Sequence, residues 1–551
     1  MAAPIEGQGK PGKMQEETAR RWTFPDAWEA VAETVPERVV QVQGERQICW
    51  RDFDRRAAGV AAALLDAGLS RQDKVALYLH NAPEYLEAAF AALKASLVPV
   101  NTNYRYVGDE LLYLWTNADT AAVVFHGSFV PRVEEVRARC PAIRLWLHVD
   151  DGSFPCPPWA VPYEQAATTP PRQVARSGDD LVLIYTGGTT GLPRGVMWRQ
   201  HDLFLASNTT GDPVSADLDH VRARILAATS APVGLPAAPL MHGTGFVFAA
   251  TILNRGGTVV TTAKPSFDAS ELLDTIVANR VTDLCIVGDA FCRPIVDTLD
   301  AEPGRWDISS LKVVSSSGMM WSAATKERLL VHAPGVLMID FLNSSEASGL
   351  GRSLTSSRRT EKAARFKLGD NAFVIDAEGR KLQPGSATPG RLAVSGNIPL
   401  GYYKDPQKTA ATFPVIDGMR CSVPGDYAVV EADGSITLLG RGSVSINTGG
   451  EKVFPEEVEE AIKTFPGVRD AVVVGIPHER FGQSIAAAVE SAAPIDREAL
   501  LAHLRGHLAG HKLPRVIMTV DSVGRSPNGK ADYPATAKRI AAWLDAQTER
   551  K

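Results

Sequence analysis

Residues 185–196 read Tyr185-Thr186-Gly187-Gly188-Thr189-Thr190-Gly191-Leu192-Pro193-Arg194-Gly195-Val196, and they follow an apolar run at 181–184. The apolar run predicts a buried strand that opens into a loop of glycine and threonine. Glycine lets a ligand approach the backbone closely, and successive backbone N–H groups form a concavity that suits phosphate. The loop lacks the Lys-Ser/Thr pair of the common nucleotide-binding P-loop. We therefore predict a phosphate site of another kind, with a flexible surface loop as the alternative.

The length and composition limit the class of protein. A chain of 551 residues predicts two or more domains, and its 45% hydrophobic and 22% charged content is typical of a globular protein. The net charge of −5 and the lack of a basic run give no reason to expect a nucleic-acid partner. The 6 cysteines are scattered without a metal-ligand spacing, which favours reduced thiols in the cytoplasm. The longest apolar stretch, at 247–253, is too short to span a bilayer, so we expect no integral membrane segment.

Helical and strand periodicities alternate along the first two thirds of the chain. The predicted helices begin near Asp52 and Pro83 and span 270–279, and the predicted strands lie at 75–79, 121–125, 284–287 and 311–314. Alternation of this kind predicts α/β layers with mainly parallel strands.

The last third of the chain has a different pattern. From about Arg391, short strands punctuated by glycine, proline and aspartate favour antiparallel pairing. Pro455 opens a predicted helix that ends at Pro466-Gly467, and a strand follows at 471–476. We place a domain boundary after Gly440, which gives domains at 1–440 and 441–551.

The glycine–threonine loop resembles the signature of the adenylate-forming enzymes, which include acyl-CoA synthetases, luciferases and peptide-synthetase adenylation domains. That family usually carries lysine where this chain has Arg194 and serine where it has Gly187. The resemblance extends over roughly 24–541. It implies an α/β fold in which a large N-terminal domain of layered βα subdomains and a β-rich part binds ATP and the acyl substrate. It also implies a small, hinged C-terminal α+β domain that carries a catalytic lysine and a loop facing coenzyme A.

The resemblance assigns roles to further motifs in the N-terminal domain. His242, within 239–245, would flank the carboxylate pocket, and the turn at Ser317-Gly318 would face the adenine. The stretch 340–346 aligns with an aromatic-Gly-x-Thr-Glu motif, so Ser345 would contact the α-phosphate and Glu346 would bind Mg²⁺. Leu342 stands where an aromatic residue usually stacks on the adenine.

Motifs near and beyond the boundary follow the same resemblance. Asp426 would bind the ribose diol, Arg441 would reach the ribose and phosphate, and Ser443 would lie at the hinge. Lys530, in a C-terminal Pro-x-Gly-Lys motif, would bridge the carboxylate and the phosphate. The predicted catalytic residues are Lys530, Glu346, His242 and Arg194, with Glu346 as metal ligand, and the predicted cofactor-binding residues are Thr186, Gly187, Gly188, Thr189, Thr190, Gly191, Ser317, Gly318, Asp340, Leu342, Ser345, Asp426, Arg441, Gly449 and Gly450.

The implied function is that of an acyl-CoA synthetase, with ATP, Mg²⁺ and coenzyme A. Attack of a carboxylate on the α-phosphate brings two anions together, so positive charge from Mg²⁺, Arg194 and Lys530 would stabilise the transition state. Thiol attack on the acyl-AMP would then give a thioester and AMP. Two alternatives stay open: an acyl-AMP ligase with a carrier protein or other acceptor, and a non-catalytic binding protein of the same fold.

Within the family, several stretches resemble bacterial synthetases that act on steroid side-chain carboxylates or on fatty acids. These stretches are Gly188 with 196–199, 287–291, 320–322 and 423–426, and Gly288 and Asp289 replace a common Val-Pro turn beside the acyl pocket. The expected partners are therefore small molecules: a hydrophobic carboxylic acid, ATP and coenzyme A. The sequence leaves the acyl chain length and the choice between monomer and homodimer open.

Overall fold

The computed structural model describes residues 23–186, 192–207, 218–319, 321–358, 364–448, 451–478, 482–526 and 529–548. The strands are β1 (Val39–Gln43), β2 (Arg46–Cys49), β3 (Lys74–Tyr78), β4 (Val98–Asn101), β5 (Thr120–His126), β6 (Leu145–Val149), β7 (Val161–Pro162), β8 (Leu181–Thr186), β9 (Arg194–Arg199), β10 (Val233–Pro236), β11 (Thr258–Thr261), β12 (Asp283–Ile286), β13 (Val313–Ser317), β14 (Leu337–Ser344), β15 (Ala347–Thr355), β16 (Arg365–Leu368), β17 (Ala372–Ile375), β18 (Gly390–Ser395), β19 (Gly401–Tyr402), β20 (Val415–Ile416), β21 (Met419–Ser422), β22 (Asp426–Val430), β23 (Ile436–Arg441), β24 (Ile446–Thr448), β25 (Glu451–Val453), β26 (Val468–His478), β27 (Gly482–Ser491) and β28 (Val516–Val520).

The helices are α1 (Phe24–Thr34), α2 (Trp50–Asp66), α3 (Pro83–Lys94), α4 (Gly108–Asn117), α5 (Val130–Arg137), α6 (Tyr163–Ala166), α7 (Gln200–Ser207), α8 (Leu218–Ala227), α9 (Gly243–Asn254), α10 (Ala269–Asn279), α11 (Gly288–Ala301), α12 (Ala323–His332), α13 (Pro406–Thr412), α14 (Pro455–Lys463), α15 (Arg497–Arg505) and α16 (Tyr533–Thr548). Short 3-10 helices span Gly127–Phe129, Gly442–Val444 and Gly510–Lys512. In the described part of the chain, no helix is long and apolar enough to cross a membrane.

The first sheet runs in the order β19-β9-β8-β4-β3-β5-β6-β7. Strands β8, β4, β3, β5, β6 and β7 pair in parallel, and β9 and β19 add two antiparallel strands at one edge. The predicted buried strand at 181–184 is confirmed as part of β8, and the helix predicted from Pro83 is confirmed as α3. Helix α2 buries Phe53, Ala57 and Leu64 because these positions recur at helical spacing.

The second sheet has a parallel part and an antiparallel part. Strands β1, β11, β10, β12, β13 and β14 pair in parallel, and β14 then turns back into the antiparallel strands β15, β16, β23, β22, β18 and β21. The sequence predicted antiparallel pairing from about Arg391, and the structure shows that it begins earlier, where β15 pairs with β14. The strand predicted at 311–314 begins later, at Val313, because the Leu311 amide closes a turn on the Ile308 carbonyl.

The third sheet lies beyond Arg441 and runs β25-β24-β27-β26, with β28 parallel to β27. Helices α14, α15 and α16 accompany it, and the helix and strand predicted at Pro455 and at 471–476 are confirmed as α14 and β26. Val458 and Ile462 on α14 pack with Ala471 and Val473 of β26 in one apolar core. The boundary at 440/441 falls at the end of β23 and stays a prediction.

Two asparagines connect the first sheet to the segment 236–241, which follows β10 of the second sheet. Asn81 donates from Nδ2 to the carbonyls of Pro236 (3.1 Å) and Ala238 (3.3 Å) and accepts from the Leu240 amide (2.7 Å). Asn101, at the end of β4, donates to the carbonyls of Tyr185 (2.8 Å) and Met241 (2.6 Å) and accepts from the Tyr185 amide (2.6 Å). These bonds fix the backbone immediately before residue 242.

We expect Asn101→Ala to lower the free energy of unfolding by several kcal/mol, since each backbone group left without a partner in the interior costs about 1–3 kcal/mol. Urea denaturation followed by tryptophan fluorescence measures the loss. The matched control is Asn103→Ala, because the Asn103 side chain accepts from the amide of Arg105, two residues away in the same exposed loop, and not from a distant segment. Equal stabilities of the two variants would contradict the structural role of Asn101.

Candidate functional site

A cavity of about 1030 Å³ opens where the carboxyl ends of β12, β13 and β14 meet helix α9 and the C-terminal segment. A volume of this size holds ligands larger than a typical small metabolite. The structure brings most of the described candidate residues to its wall: Thr186, His242, Ser317, Gly318, Asp340, Leu342, Ser345, Glu346, Asp426, Arg441 and Lys530. Residues more than 340 positions apart in the chain thus share one cavity.

Arg194 is the described candidate that does not line this cavity. Its Nε forms an ion pair with Asp405 Oδ2 at 3.0 Å, and the side chain is 39% exposed at the start of β9. The other candidates, Gly187, Gly188, Thr189, Thr190, Gly191, Gly449 and Gly450, lie outside the described residues. The roles assigned to all of these residues therefore stay predictions.

The turn between β14 and β15 holds Glu346 in a fixed position. The Tyr402 hydroxyl donates to Glu346 Oε1 at 2.8 Å, and the Ser422 hydroxyl donates to the Glu346 carbonyl at 2.6 Å. Trp198 Nε1 donates to the carbonyl of Ser345 at 2.9 Å. Tyr402 is a contact that the sequence analysis missed, because it lies 56 positions from Glu346 and no local pattern connects the two. The other carboxylate oxygen of Glu346 can therefore still bind a ligand in the cavity.

Asp426 and Arg441 face each other across the β22–β23 pair. Arg441 Nε lies 3.2 Å from Asp426 Oδ1, and the two residues are register partners. The negative charge of Asp426 raises the pKa of Arg441. A carboxylate and a guanidinium in this arrangement offer both an acceptor for hydroxyl groups and a donor for an anion.

Lys530 reaches the cavity because the backbone before it packs closely on the large domain. A Cβ atom placed on Gly529 would lie 2.6 Å from Met319 Sδ and 3.1 Å from Ala290 Cβ, and the φ of +76° at this position favours glycine. The Lys530 side chain still meets solvent in the open cleft. Loss of solvation and the nearby Arg441 lower the pKa of Lys530, and Glu346 opposes this effect.

His242 caps the start of helix α9 with its backbone and lines the same cavity. Burial, together with the charges of Lys530 and Arg105, lowers the pKa of His242 to about 4. The imidazole is therefore neutral at pH 7, so it can accept or donate a hydrogen bond without adding charge.

The polar face of α14 is a part of the cavity wall that the sequence analysis did not assign. Glu456, Glu459 and Lys463 line the cavity, although the helix was predicted only from its apolar positions. Burial raises the pKa of Glu456 to about 8 and that of Glu459 to about 7, with their mutual repulsion adding to the shift of Glu456. In the sequence, the dense run of charge at 456–463 was the available signal for this face.

Burial also raises the pKa of Asp340, on β14, to about 7, although Lys326 lies 3.7 Å away.

Asp289, which was predicted to lie beside the acyl pocket, accepts hydrogen bonds from the start of α12. Its Oδ1 accepts from the amide (3.1 Å) and hydroxyl (3.0 Å) of Ser322 and from the Thr325 hydroxyl (2.6 Å). It therefore stabilises the first turn of α12.

The raised pKa of Glu456 predicts a pH dependence of stability. A carboxyl whose pKa is higher in the folded than in the unfolded chain stabilises fully below the unfolded pKa, and that contribution is lost as the pH rises through the folded pKa. Its window runs from the ordinary value of 4.5 to about 8. Wild type should therefore lose more stability between pH 5 and pH 9 than Glu456→Gln. Below pH 4.5, the stability of the two proteins should change with pH in the same way. Urea midpoints measured across this range provide the test, and parallel curves for the two proteins would contradict it.

Comparison with known proteins agrees with this geometry. The family model described as AMP-binding enzyme matches residues 28–403, and the model described as AMP-binding enzyme C-terminal domain matches residues 457–530. The chain is similar to a medium/long-chain-fatty-acid–CoA/3-oxocholest-4-en-26-oate–CoA ligase of Mycolicibacterium smegmatis, with 41% identity over 92% of this chain and 94% of the relative. A 3-oxocholest-4-en-26-oate–CoA ligase of Rhodococcus rhodochrous is 38% identical over 92% of this chain and 94% of its own length.

A solved structure has the same fold. It is the anthranilate CoA ligase AuaEII in complex with anthranoyl-AMP, with a TM-score of 0.82 and 21% identity over 97% of this chain and 99% of that one.

Proposed function

The chain belongs to the AMP-binding enzyme family, and we propose that it is an ATP-dependent acyl-CoA synthetase, an acid–thiol ligase. It activates a hydrophobic carboxylic acid as an acyl-AMP and transfers the acyl group to coenzyme A, releasing pyrophosphate and then AMP. The observation that carries this proposal is the meeting of Glu346, Asp426, Arg441 and Lys530 around one cavity.

The acid is a steroid side-chain carboxylate or a medium- or long-chain fatty acid. The relatives named above act on such acids according to their names, and they match nearly the whole chain. The cavity supports the same class, because Val247, Phe248 and Ile252 of α9 and Val313 and Ile339 of the sheet give it an apolar wall. Burial of apolar surface would supply much of the binding free energy of such an acid.

In the first half-reaction, a carboxylate oxygen of the acid forms a bond to the α-phosphorus of ATP, and the bond to the pyrophosphate oxygen breaks. Lys530 lies between the two anions and stabilises the charge that develops on the phosphoryl oxygens. Asp426 accepts from the ribose hydroxyls, and Arg441 holds the carboxylate of Asp426 in place. Neutral His242 lies beside the carboxylate and excludes water without repelling Lys530.

Glu346 fits the role of a Mg²⁺ ligand. Among the described residues, no group of three or more histidine, cysteine and acidic side chains could hold a metal ion by itself. Mg²⁺ commonly binds one or two carboxylates together with substrate phosphates, and the oriented Glu346 carboxylate offers such a ligand. When bound, Mg²⁺ neutralises part of the phosphate charge.

In the second half-reaction, the thiol sulfur of coenzyme A bonds to the acyl carbon, and the bond from that carbon to the AMP oxygen breaks. Lys530 has no role in this step, so the domain 441–551 rotates about the hinge near Ser443 and withdraws it. A short 3-10 helix, Gly442–Val444, connects β23 and β24 and supports a hinge at this position. Gly449 and Gly450 would then line the path of the pantetheine arm.

We also propose that the protein works in the cytoplasm as a homodimer. The 6 cysteines are all unpaired thiols, which suits a reducing compartment. Cyclic dimers are the commonest closed assemblies. Sedimentation velocity of the purified protein measures the oligomeric state.

The direct test is AMP formation with ATP and Mg²⁺, with and without coenzyme A, across a steroid side-chain acid, a medium-chain and a long-chain fatty acid, and an aryl acid. We expect AMP release that depends on coenzyme A and is strongest for a steroid or fatty acid. Pyrophosphate release without stimulation by coenzyme A would indicate a carrier protein or another acceptor, and no release with any acid would indicate a binding protein.

Lys530→Ala separates the two half-reactions. We expect acid-dependent ATP–pyrophosphate exchange to fall by at least about 100-fold, since a charge that stabilises the transition state is lost. Thioester formation from synthetic acyl-AMP and coenzyme A should stay within about 3-fold of wild type. Lys538→Ala, an exposed lysine on α16, is the matched control and should retain both activities. Undiminished exchange in Lys530→Ala would show that another residue performs adenylation.

A further inference from the structure

One row of strand residues forms the floor of the cavity beneath helix α9. Asp283, Val313 and Leu337, on β12, β13 and β14, are register partners, and all three line the cavity. Gly234 on β10 is the register partner of Asp283. Since paired residues of neighbouring strands point to the same face of a sheet, position 234 belongs to the same row. At β10, however, this row has no side chain.

Two side chains of α9 occupy the space above Gly234. A Cβ atom placed on Gly234 would lie 2.5 Å from Ile252 Cγ1, 2.7 Å from Ile252 Cδ1 and 3.2 Å from Phe248 Cζ. Gly257 borders the same isoleucine, because a Cβ atom there would lie 2.9 Å from Ile252 Cγ2. Ile252 and Phe248 also line the cavity. The two glycines therefore form a socket for Ile252, and the Phe248 ring lies beside this socket at the cavity wall.

Hydrogen bonds hold both ends of α9. The carbonyl of Met241, two residues before the helix, accepts from Asn101 Nδ2 at 2.6 Å. At the other end, the side-chain oxygen of Asn254 accepts from Nε1 of the fully buried Trp28 at 2.8 Å. Lifting the helix from the sheet would break these buried hydrogen bonds, which is costly. Rotation of side chains is the less costly response to an added atom under the helix.

A methyl group at position 234 would therefore displace Ile252 and Phe248 and leave the helix in place. Gly234 lies in β10 without a left-handed φ, so alanine can adopt its backbone conformation and the effect of the methyl group is steric. Away from the cavity, both side chains pack against the apolar core of the large domain, which offers few voids. The cavity is the open space next to them, so the displaced atoms would enter it.

We propose that Gly234 is a positioning residue that sets how bulky an acid the cavity accepts, because it keeps Ile252 and Phe248 against the sheet. At a rise of 1.5 Å per residue, Phe248 and Ile252 lie roughly 9 and 15 Å along the helix from His242. They therefore face the middle and the remote end of a long acid. Acids with a ring system remote from the carboxylate are then accepted as well as linear chains. This inference rests on the proposed function and adds the size limit of its substrate.

The test compares Gly234→Ala with wild type on octanoate, hexadecanoate and 3-oxocholest-4-en-26-oate. We expect kcat/KM for the steroid acid to fall by about 10- to 100-fold, mainly through KM, because the ring system loses its space. The value for octanoate, which is too short to reach Ile252, should change by less than about 3-fold. Hexadecanoate, a thin chain, should lose less than the steroid acid. Octanoate turnover also shows that the variant is folded.

A double-mutant cycle identifies the side chain through which Gly234 acts. Ile252→Ala removes the atoms closest to the new methyl group, so in that background Gly234→Ala should change kcat/KM for the steroid acid by less than about 3-fold. The matched control is Gly335→Ala, just before β14. A Cβ atom there meets no atom within 4 Å, so all three kcat/KM values should stay unchanged.

Equal losses for the three acids in Gly234→Ala would show that Gly234 only supports the sheet and would overturn the inference. An unchanged value for the steroid acid, or a loss of the same size in the Ile252→Ala background, would overturn it too. So would a wild-type enzyme that uses the fatty acids but forms no thioester with the steroid acid. Absence of thioester from every acid with wild type, octanoate included, would instead refute the proposed function.

Discussion

The position of segment 236–242 is the constraint on which the rest of the site depends. The side-chain amides of Asn81 and Asn101 bind its backbone from the first sheet, while β10 holds its start in the second sheet. Because a buried backbone group without a partner is costly, this segment has one favourable path. That path sets where His242 lies, where α9 begins and how far α9 stands from the strands. The cavity is the space left between these elements.

The charged groups around the cavity form a site that is arranged before substrates bind. Desolvation raises the pKa values of Asp340, Glu456 and Glu459 and lowers that of His242, so these groups carry less charge near pH 7 than they would in water. The charges that remain are those with specific partners, such as Arg441 on Asp426. Electrostatic interactions with an incoming triphosphate are stronger beside such groups than in bulk water, because the protein has a lower dielectric constant. This arrangement suits a reaction that must bring two anions into contact.

The C-terminal domain contributes the polar face of α14 and the segment at Gly529 and Lys530 to the cavity wall. Gly529, at φ +76°, packs against Met319 and Ala290, and Lys530 follows directly. The connection through Gly442–Val444 is short and lies at the edge of the cavity. A domain with its own apolar core, attached in this way, can present different surfaces to one substrate site without unfolding.

The sequence by itself determined the features that are encoded locally. Apolar runs and helical spacing predicted β8, α2, α3 and α14, and the motifs around Glu346, Asp426 and Lys530 identified most of the residues that the structure places at the cavity. Only the tertiary structure decided which distant groups meet: Tyr402 on Glu346, Asp405 on Arg194, and the polar face of α14 in the cavity wall. The physical reason is that periodicity and turn chemistry act over a few neighbouring residues. Contacts between residues tens to hundreds of positions apart depend instead on how the sheets and helices pack.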